Sequence, residues 1–337
     1  MSARLRSLVS GISALLLLSP AVSAVPFDWV TVGDPGNACD PQLDSGGNPI
    51  CPGAVGSTYQ ISKYEVSNAQ YAAFLAAVAV TDTNGLYYGN MGSDKDGGIT
   101  QTGASGSYVY AVKPGYDAKP VNFVDFYDTL RFANWLYNGE PTGAQNAGST
   151  EDGAYTITAQ GITDNSITRN PGATLFLTSE DEWYKAAYYD AVTQSYFDYP
   201  AGSDIPTLCA APGSPLASTP NTGHCGQLFA TGLVADGGSY PNSASPSGTF
   251  DQGGNVWEWN EAILVVGGED RRGQRGGSYI DPVISMRSMA QNSMLPADER
   301  YGTGFRIARL VPIPEPGTEL LVATGMIALA ARRRRRA

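Results

Sequence analysis

An α+β fold with little regular secondary structure is what this 337-residue sequence predicts. Three observations carry that expectation. Two segments repeat apolar residues at helical spacing, with a shorter third behind a strong capping signal. Short β-rich runs are scattered along the chain. Long stretches rich in Gly, Pro, Ser, Thr and Asn separate them.

The first helix is expected over residues 68–80, with Tyr71, Phe74, Leu75 and Val78 on one face and Ser67 or Asn68 as its cap. The second is expected over 125–137, turning Phe126, Leu130, Ala133 and Trp135 or Leu136 inward. The third follows Thr178 or Ser179 as cap; Glu180, Asp181 and Glu182 fill its first turn, where carboxylates suit the positive end of the helix dipole. Short antiparallel strands are expected at 27–32, 59–64, 155–157 and 304–309. Residues 85–119, 139–171 and 199–247 read as long loops. So much irregular chain calls for fasteners, such as disulfides or a bound metal.

Both ends of the chain read as export signals. Arg4 and Arg6 precede an apolar run to about Leu18, Pro20 breaks it, and Val22 and Ala24 are small residues at −3 and −1 of a cut before Val25. That order is a secretory signal over residues 1–24, and the near absence of polar residues at helical spacing argues against a core helix. At the far end, Pro314-Glu315-Pro316 leads into an apolar segment, 317–331, and then Arg332 to Arg336. The segment falls short of the ~20 residues that cross a bilayer comfortably. The arginines would stay cytoplasmic and leave the domain, residues 25–311, outside. The three-part tail 312–337 resembles the PEP-CTERM sorting signal of Gram-negative bacteria, as against a plain anchor. That resemblance implies an exosortase-type membrane protease as partner, transient anchoring in the inner membrane, and a final place in the outer envelope, at the cell surface or in the extracellular matrix.

Between residues 25 and 316, 14 Lys and Arg face 31 Asp and Glu, a net charge of −17. Nucleic acid and anionic membrane surfaces do not suit such a charge; cations do. Four cysteines form two close pairs in sequence, which suggests the loop staples Cys39–Cys51 and Cys209–Cys225 in an oxidising compartment, with other pairings open. The single histidine, His224, excludes any site built on two or three histidines and reads as an exposed loop residue.

Ordered motifs carry a resemblance over residues 27–310. They are YQISKYEVSNAQYAAFL from Tyr59, KPVNFVDFYDTLRFANWL from Lys119, LFLTSEDEWYKAAYY from Leu175, GNVWEWNE from Gly254, RGGSY from Arg275 and GFRIA from Gly304. Together the set resembles the formylglycine-generating enzyme, or sulfatase-modifying factor, family, which implies a C-type-lectin-like domain. Read as residues, Trp257 and Trp259 are expected in the core. Arg275, Gly276 and Gly277 look like a tight strand start. Arg306 looks like a buried, paired arginine.

The resemblance fails at the chemistry. The family's oxidase places two copper-binding thiolates just after RGGS, because soft thiolates select Cu(I). Here the first such position falls near Asp281 and no cysteine follows, so neither copper nor formylglycine generation by that route is expected. Met286, Met289 and Met294 read as packing residues. Iron sites of related sulfur–carbon-forming enzymes need more than one histidine. Asp281, Asp298 and Glu299 could serve acid–base chemistry, but read more simply as solvated carboxylates.

A calcium site is the better expectation. Asp251 and Glu258 supply carboxylates, and Gly254 and Val256 carbonyls, with 254, 256 and 258 alternating onto one side of an extended segment. Those positions match the family's calcium ligands; the competing reading has Glu258 paired in the core. A second family site would fall near Asn221. The sequence therefore supports a calcium-stabilised binding or structural module, with extracellular polysaccharide or envelope proteins as partners. The alternative is a metal-dependent oxidoreductase with a rewired site.

Overall fold

The computed structural model describes residues 25–43, 47–226 and 234–311. The secretory segment 1–24 and the sorting tail 312–337 lie outside the described residues. Among the described residues no helix is long and apolar enough to cross a membrane.

The elements that position the site are β1 (Trp29–Val32), β2 (Tyr59–Ser62), α1 (Asn68–Val78), α2 (Phe126–Tyr137), β3 (Leu175–Leu177), α3 (Glu180–Tyr188), β4 (Trp257–Val266), β5 (Glu269–Arg275), β6 (Asn292–Met294), β7 (Thr303–Phe305) and β8 (Ile307–Leu310). One antiparallel sheet runs β1-β2-β8-β3. A second runs β6-β5-β4-β7, with β4 and β7 parallel. The fold is α+β with short, mostly antiparallel strands, as the sequence implies.

Each main helix starts where its capping chemistry dictates. Ser67, Asp125 and Ser179 are the N-caps, each accepting from the backbone three residues on, and Gln70, Asp128 and Glu182 reach back to close capping boxes. Helix α1 buries Tyr71, Phe74, Leu75 and Val78, and α2 is buried on nearly every side. Between them and the sheets lies an aromatic core. Phe132 sits 5.3 Å from both Phe74 and Phe305, edge to face, and Tyr71 stacks on it at 5.9 Å.

The strand expected at 304–309 is two strands in different sheets, β7 and β8, with Arg306 at the break between them. Residues 155–157 form no strand; Tyr155 makes one isolated bridge to Arg169. The stretch 85–119 is less irregular than its composition suggests: it carries a short helix, Asn90–Ser93, and a hairpin of Ile99–Thr102 with Val109–Val112. Both loop staples form, Cys39–Cys51 and Cys209–Cys225.

Candidate functional site

Two neighbouring features are built from the GNVWEW, RGGS and GFR motifs: a buried ionic centre and a cavity beside Asp281. Strand β4 carries Glu258 inward between β5 and β7. Glu258 is fully buried and accepts from Arg306 Nε at 2.5 Å, Arg306 Nη2 at 2.7 Å and Trp183 Nε1 at 2.6 Å. The remaining Arg306 donors reach the carbonyls of Ser62 and Phe250. The expectation of a buried, paired Arg306 holds.

The same pairing bears on the calcium ligands drawn from the sequence. Both Glu258 oxygens are engaged by donors, two on Oε2 and one on Oε1. Asp251 lies nearby in a left-handed backbone conformation (φ 62°) and accepts from Gly238 N at 2.6 Å. Burial pushes its carboxyl up to about 6, against the pull of the Gly238 amide and Arg306. Val256 is buried, and a Cβ on Gly254 would lie 2.4 Å from the His224 carbonyl, which is why only glycine fits there. Among the described residues no three His, Cys, Asp or Glu side chains converge as a metal cage. With Glu258 paired to Arg306, a calcium ion here would rest chiefly on Asp251 and the Gly254 and Val256 carbonyls. Asn221, near the second expected site, spends its amide on Ser203, Ile205 and Pro206.

The RGGS segment builds the cavity. Strand β5 ends at Arg275, so the two glycines mark a strand exit, not a start. Both have positive φ; a Cβ on Gly276 would meet the Gln252 carbonyl at 2.8 Å. Arg275 is buried, donates to Glu180 and ties down the carbonyls of Ser288 and Ala290, each at 2.6 Å, fixing the far end of the loop that starts at Ser278. Within that loop Asp281 Oδ2 accepts from Trp257 Nε1 (2.8 Å), Ser278 N (3.1 Å) and, closer still, Ser278 Oγ. Its Oδ1 makes no such bond among the described residues. The cavity beside it measures about 370 Å³ and is lined by Trp257, Ser278, Asp281, Asp298, Arg300 and Tyr301, with Arg271 and Asn292 behind. Asp298 pairs with Arg300 at 3.4 Å, and Arg271 Nε is buried with no partner among the described residues.

Several residues sit differently from the expectation. Trp259 is core, donating to the Val124 carbonyl, but Trp257 is only partly buried and serves the cavity. His224 is not exposed: it is 1% accessible and stacks 5.6 Å from Tyr279, and burial lowers its imidazole to about 4. Glu299 does not line the cavity; it lies near Asp125 at the start of α2. The methionines do not converge. Met286 packs with the Cys209–Cys225 bridge, Met289 is exposed, and Met294 lines the cavity. The sequence did not single out Trp257, Ser278, Arg271 or Tyr301 as site residues. The paired glycines before Ser278 were the available signal, since two successive positive-φ residues aim the next side chain off the strand line.

The profile of the sulfatase-modifying factor enzyme 1-like domain matches residues 48–311. The chain belongs to this family. Within the sulfatase-modifying factor family, a curated relative is hercynine oxygenase of Mycobacterium tuberculosis, 32% identical over 149 residues. That match covers 39% of this chain and 32% of the oxygenase, so the chain spans about a third of that relative's length. Solved structures similar to this one include CarF (20% identity, 85% of this chain and 99% of that one, TM-score 0.49) and PvdO from Pseudomonas aeruginosa (20%, 85% and 93%, TM-score 0.45). In this member of the family all four cysteines are locked in disulfides.

Proposed function

We propose that this protein is an exported, surface- or matrix-associated member of the family that binds a hydroxyl-rich ligand, such as a segment of extracellular polysaccharide, in the cavity beside Asp281. The observation that carries the reading is the polar lining of that cavity. A carboxylate is fixed through its Oδ2 by Trp257 and Ser278, and the Arg271 Nε–H is a buried donor without a partner among the described residues. Trp257 and Tyr301 supply flat apolar faces of the kind that sugar rings cover. Planar polar groups beside aromatic faces recognise hydroxyls and do not require catalysis. Formylglycine generation by a thiol pair has no reagent here, because no free cysteine exists.

The experiment is titration of extracellular polysaccharide fragments from the producing cells into the purified protein. Asp281→Ala should weaken binding about tenfold, the loss of roughly one good charged hydrogen bond, measured on protein that stays folded, since the change also leaves the Trp257 and Ser278 donors without their acceptor. Equal binding by the variant overturns the assignment of the site.

A second reading, a metal-dependent oxidoreductase, draws on the sequence similarity to hercynine oxygenase. Stoichiometric copper or iron in the purified protein, with oxygen consumption lost on its removal, would replace the binding reading. Calcium as a stabiliser is tested by chelation. Asp251→Asn is the informative variant, because any change at Glu258 also breaks the Arg306 pair.

A further inference from the structure

We propose that a separate cavity, beside Glu65, takes a primary ammonium group carried on a sugar-sized body. The cavity measures about 400 Å³ and lies between the segment preceding β1, the start of α1 and Gly237. Glu65, Asp28, Tyr64, Phe27, Ser62 and Gln70 line it, and no Lys, Arg or His does. It shares no lining residue with the cavity beside Asp281.

Glu65 is the group left unsatisfied. It is 4% exposed, and its Oε1 accepts from Asn255 Nδ2 at 3.1 Å while its Oε2 is buried with no partner among the described residues. The Asn255 amide is held in this sense, because its Oδ1 accepts from Ala235 N at 2.8 Å. The other polar side chains of the lining are spent locally. Gln70 bridges Ser67 N and the Pro26 carbonyl, and Ser62 Oγ donates to the Tyr64 carbonyl. A buried carboxyl oxygen without a donor costs free energy that a bound donor would recover.

The charge around Glu65 selects a cation as that donor. Burial, with Asp251 and Glu258 close by, raises the Glu65 carboxyl well above the usual carboxylate range, and Arg306, the cation that opposes this, is committed to Glu258, so an added cation is what would hold Glu65 ionised. Asp28 adds an exposed carboxylate to the same lining. Tyr64 already accepts a cation on its ring: the Lys63 ammonium rests 5.4 Å from its centroid and 5.2 Å from that of Phe250. An ammonium with three donors suits Glu65 Oε2 and Asp28 together, and Tyr64 and Phe27 supply apolar walls for the body that carries it. The volume is that of a small-molecule pocket, far larger than a bare ion requires.

The test is calorimetric titration of the purified full chain with glucosamine, and with N-acetylglucosamine as the uncharged counterpart. Glucosamine should bind and N-acetylglucosamine should bind at least about tenfold more weakly. Glu65→Gln, which preserves shape, should abolish that difference. Asp28→Asn, at an exposed position, should reduce glucosamine affinity about threefold. Asp281→Ala should leave it unchanged, which separates this cavity from the polysaccharide site. The proposal is overturned by no glucosamine binding at about 10 mM, by equal binding of the two sugars, by retention of the preference in both Glu65→Gln and Asp28→Asn, or by calcium binding that Glu65→Gln removes while glucosamine does not compete.

Discussion

Arg306 closes on Glu258 through two parallel contacts, Nε to Oε2 at 2.5 Å and Nη2 to Oε1 at 2.7 Å, with both side chains fully buried. The pair joins the two sheets, because Arg306 sits between β7 and β8 and Glu258 lies on β4. Removing one partner strands a charge away from water. Arg306→Met should therefore cost about 3–5 kcal/mol, while Glu258→Gln with Arg306→Met should recover a large part of that loss. Arg306→Lys should also destabilise, since an ammonium cannot span both oxygens and the Phe250 and Ser62 carbonyls. Chemical denaturation of the four proteins decides it; equal losses in the single and double variants would mean that packing alone, not pairing, matters.

The Cys209–Cys225 bridge supports the cavity as well as the chain. It closes a loop of 16 residues, Met286 packs against it, and the neighbouring Gly226 N donates to the Asp281 carbonyl at 2.8 Å. Replacing both cysteines by alanine should lower stability by about 3 kcal/mol through the looser unfolded chain. It should also weaken polysaccharide binding beyond what the stability loss explains. Removing Cys39–Cys51 should lower stability without that second effect, as read by denaturation and titration on the same samples.

Much of the fold was legible because it rests on local chemistry. Ser67, Asp125 and Ser179 announce their helices by capping patterns, and the apolar faces of α1 and α2 follow from spacing. What local pattern could not reveal is the partner across the chain. GFRIA reads as one strand, yet Arg306 must turn inward to meet a residue 48 positions away, and the strand divides there. His224 looked exposed in a Gly-rich loop, but it is covered by Tyr279 and Tyr240, aromatics remote in sequence. Asp281 reads from the sequence as a solvated carboxylate, and Trp257 and Arg271 carry no site signal at all, because the roles of all three depend on where the RGGS turn sends the loop.

Glu299 makes stability depend on pH. Burial, with Asp125 beside it, pushes its carboxyl up to about 8. Asp128 and Arg131 face the same helix start, and Arg131 is held by Glu151. A carboxyl raised in the folded state favours folding while protonated. Its contribution is present below the ordinary carboxylate range and is lost as pH rises toward 8. Glu299→Gln should then be nearly neutral at pH about 4 and stabilising by about 1 kcal/mol at pH about 9, after allowance for partial exposure. Melting curves across that range test it, and a constant difference between the proteins would show that Glu299 titrates normally.

Val25 offers a reading of maturation from inside the fold. Its backbone nitrogen donates to Glu140 Oε2 at 2.8 Å. If the export signal is cut before Val25, that nitrogen is an α-ammonium, and the contact becomes a charge-assisted ion pair. Glu140 is held for it in a left-handed conformation (φ 59°), with its own N–H on the Trp135 carbonyl. The ammonium gains a partner on folding, so the stabilisation should be complete below its free value near 8 and lost as pH rises past the folded value. Terminal sequencing of the protein recovered from the producing cells should give Val25. Glu140→Gln should cost about 0.5–1 kcal/mol at pH about 6 and close to nothing at pH about 10. An equal cost at both values would mean that the nitrogen is an ordinary amide and that the chain is cut elsewhere.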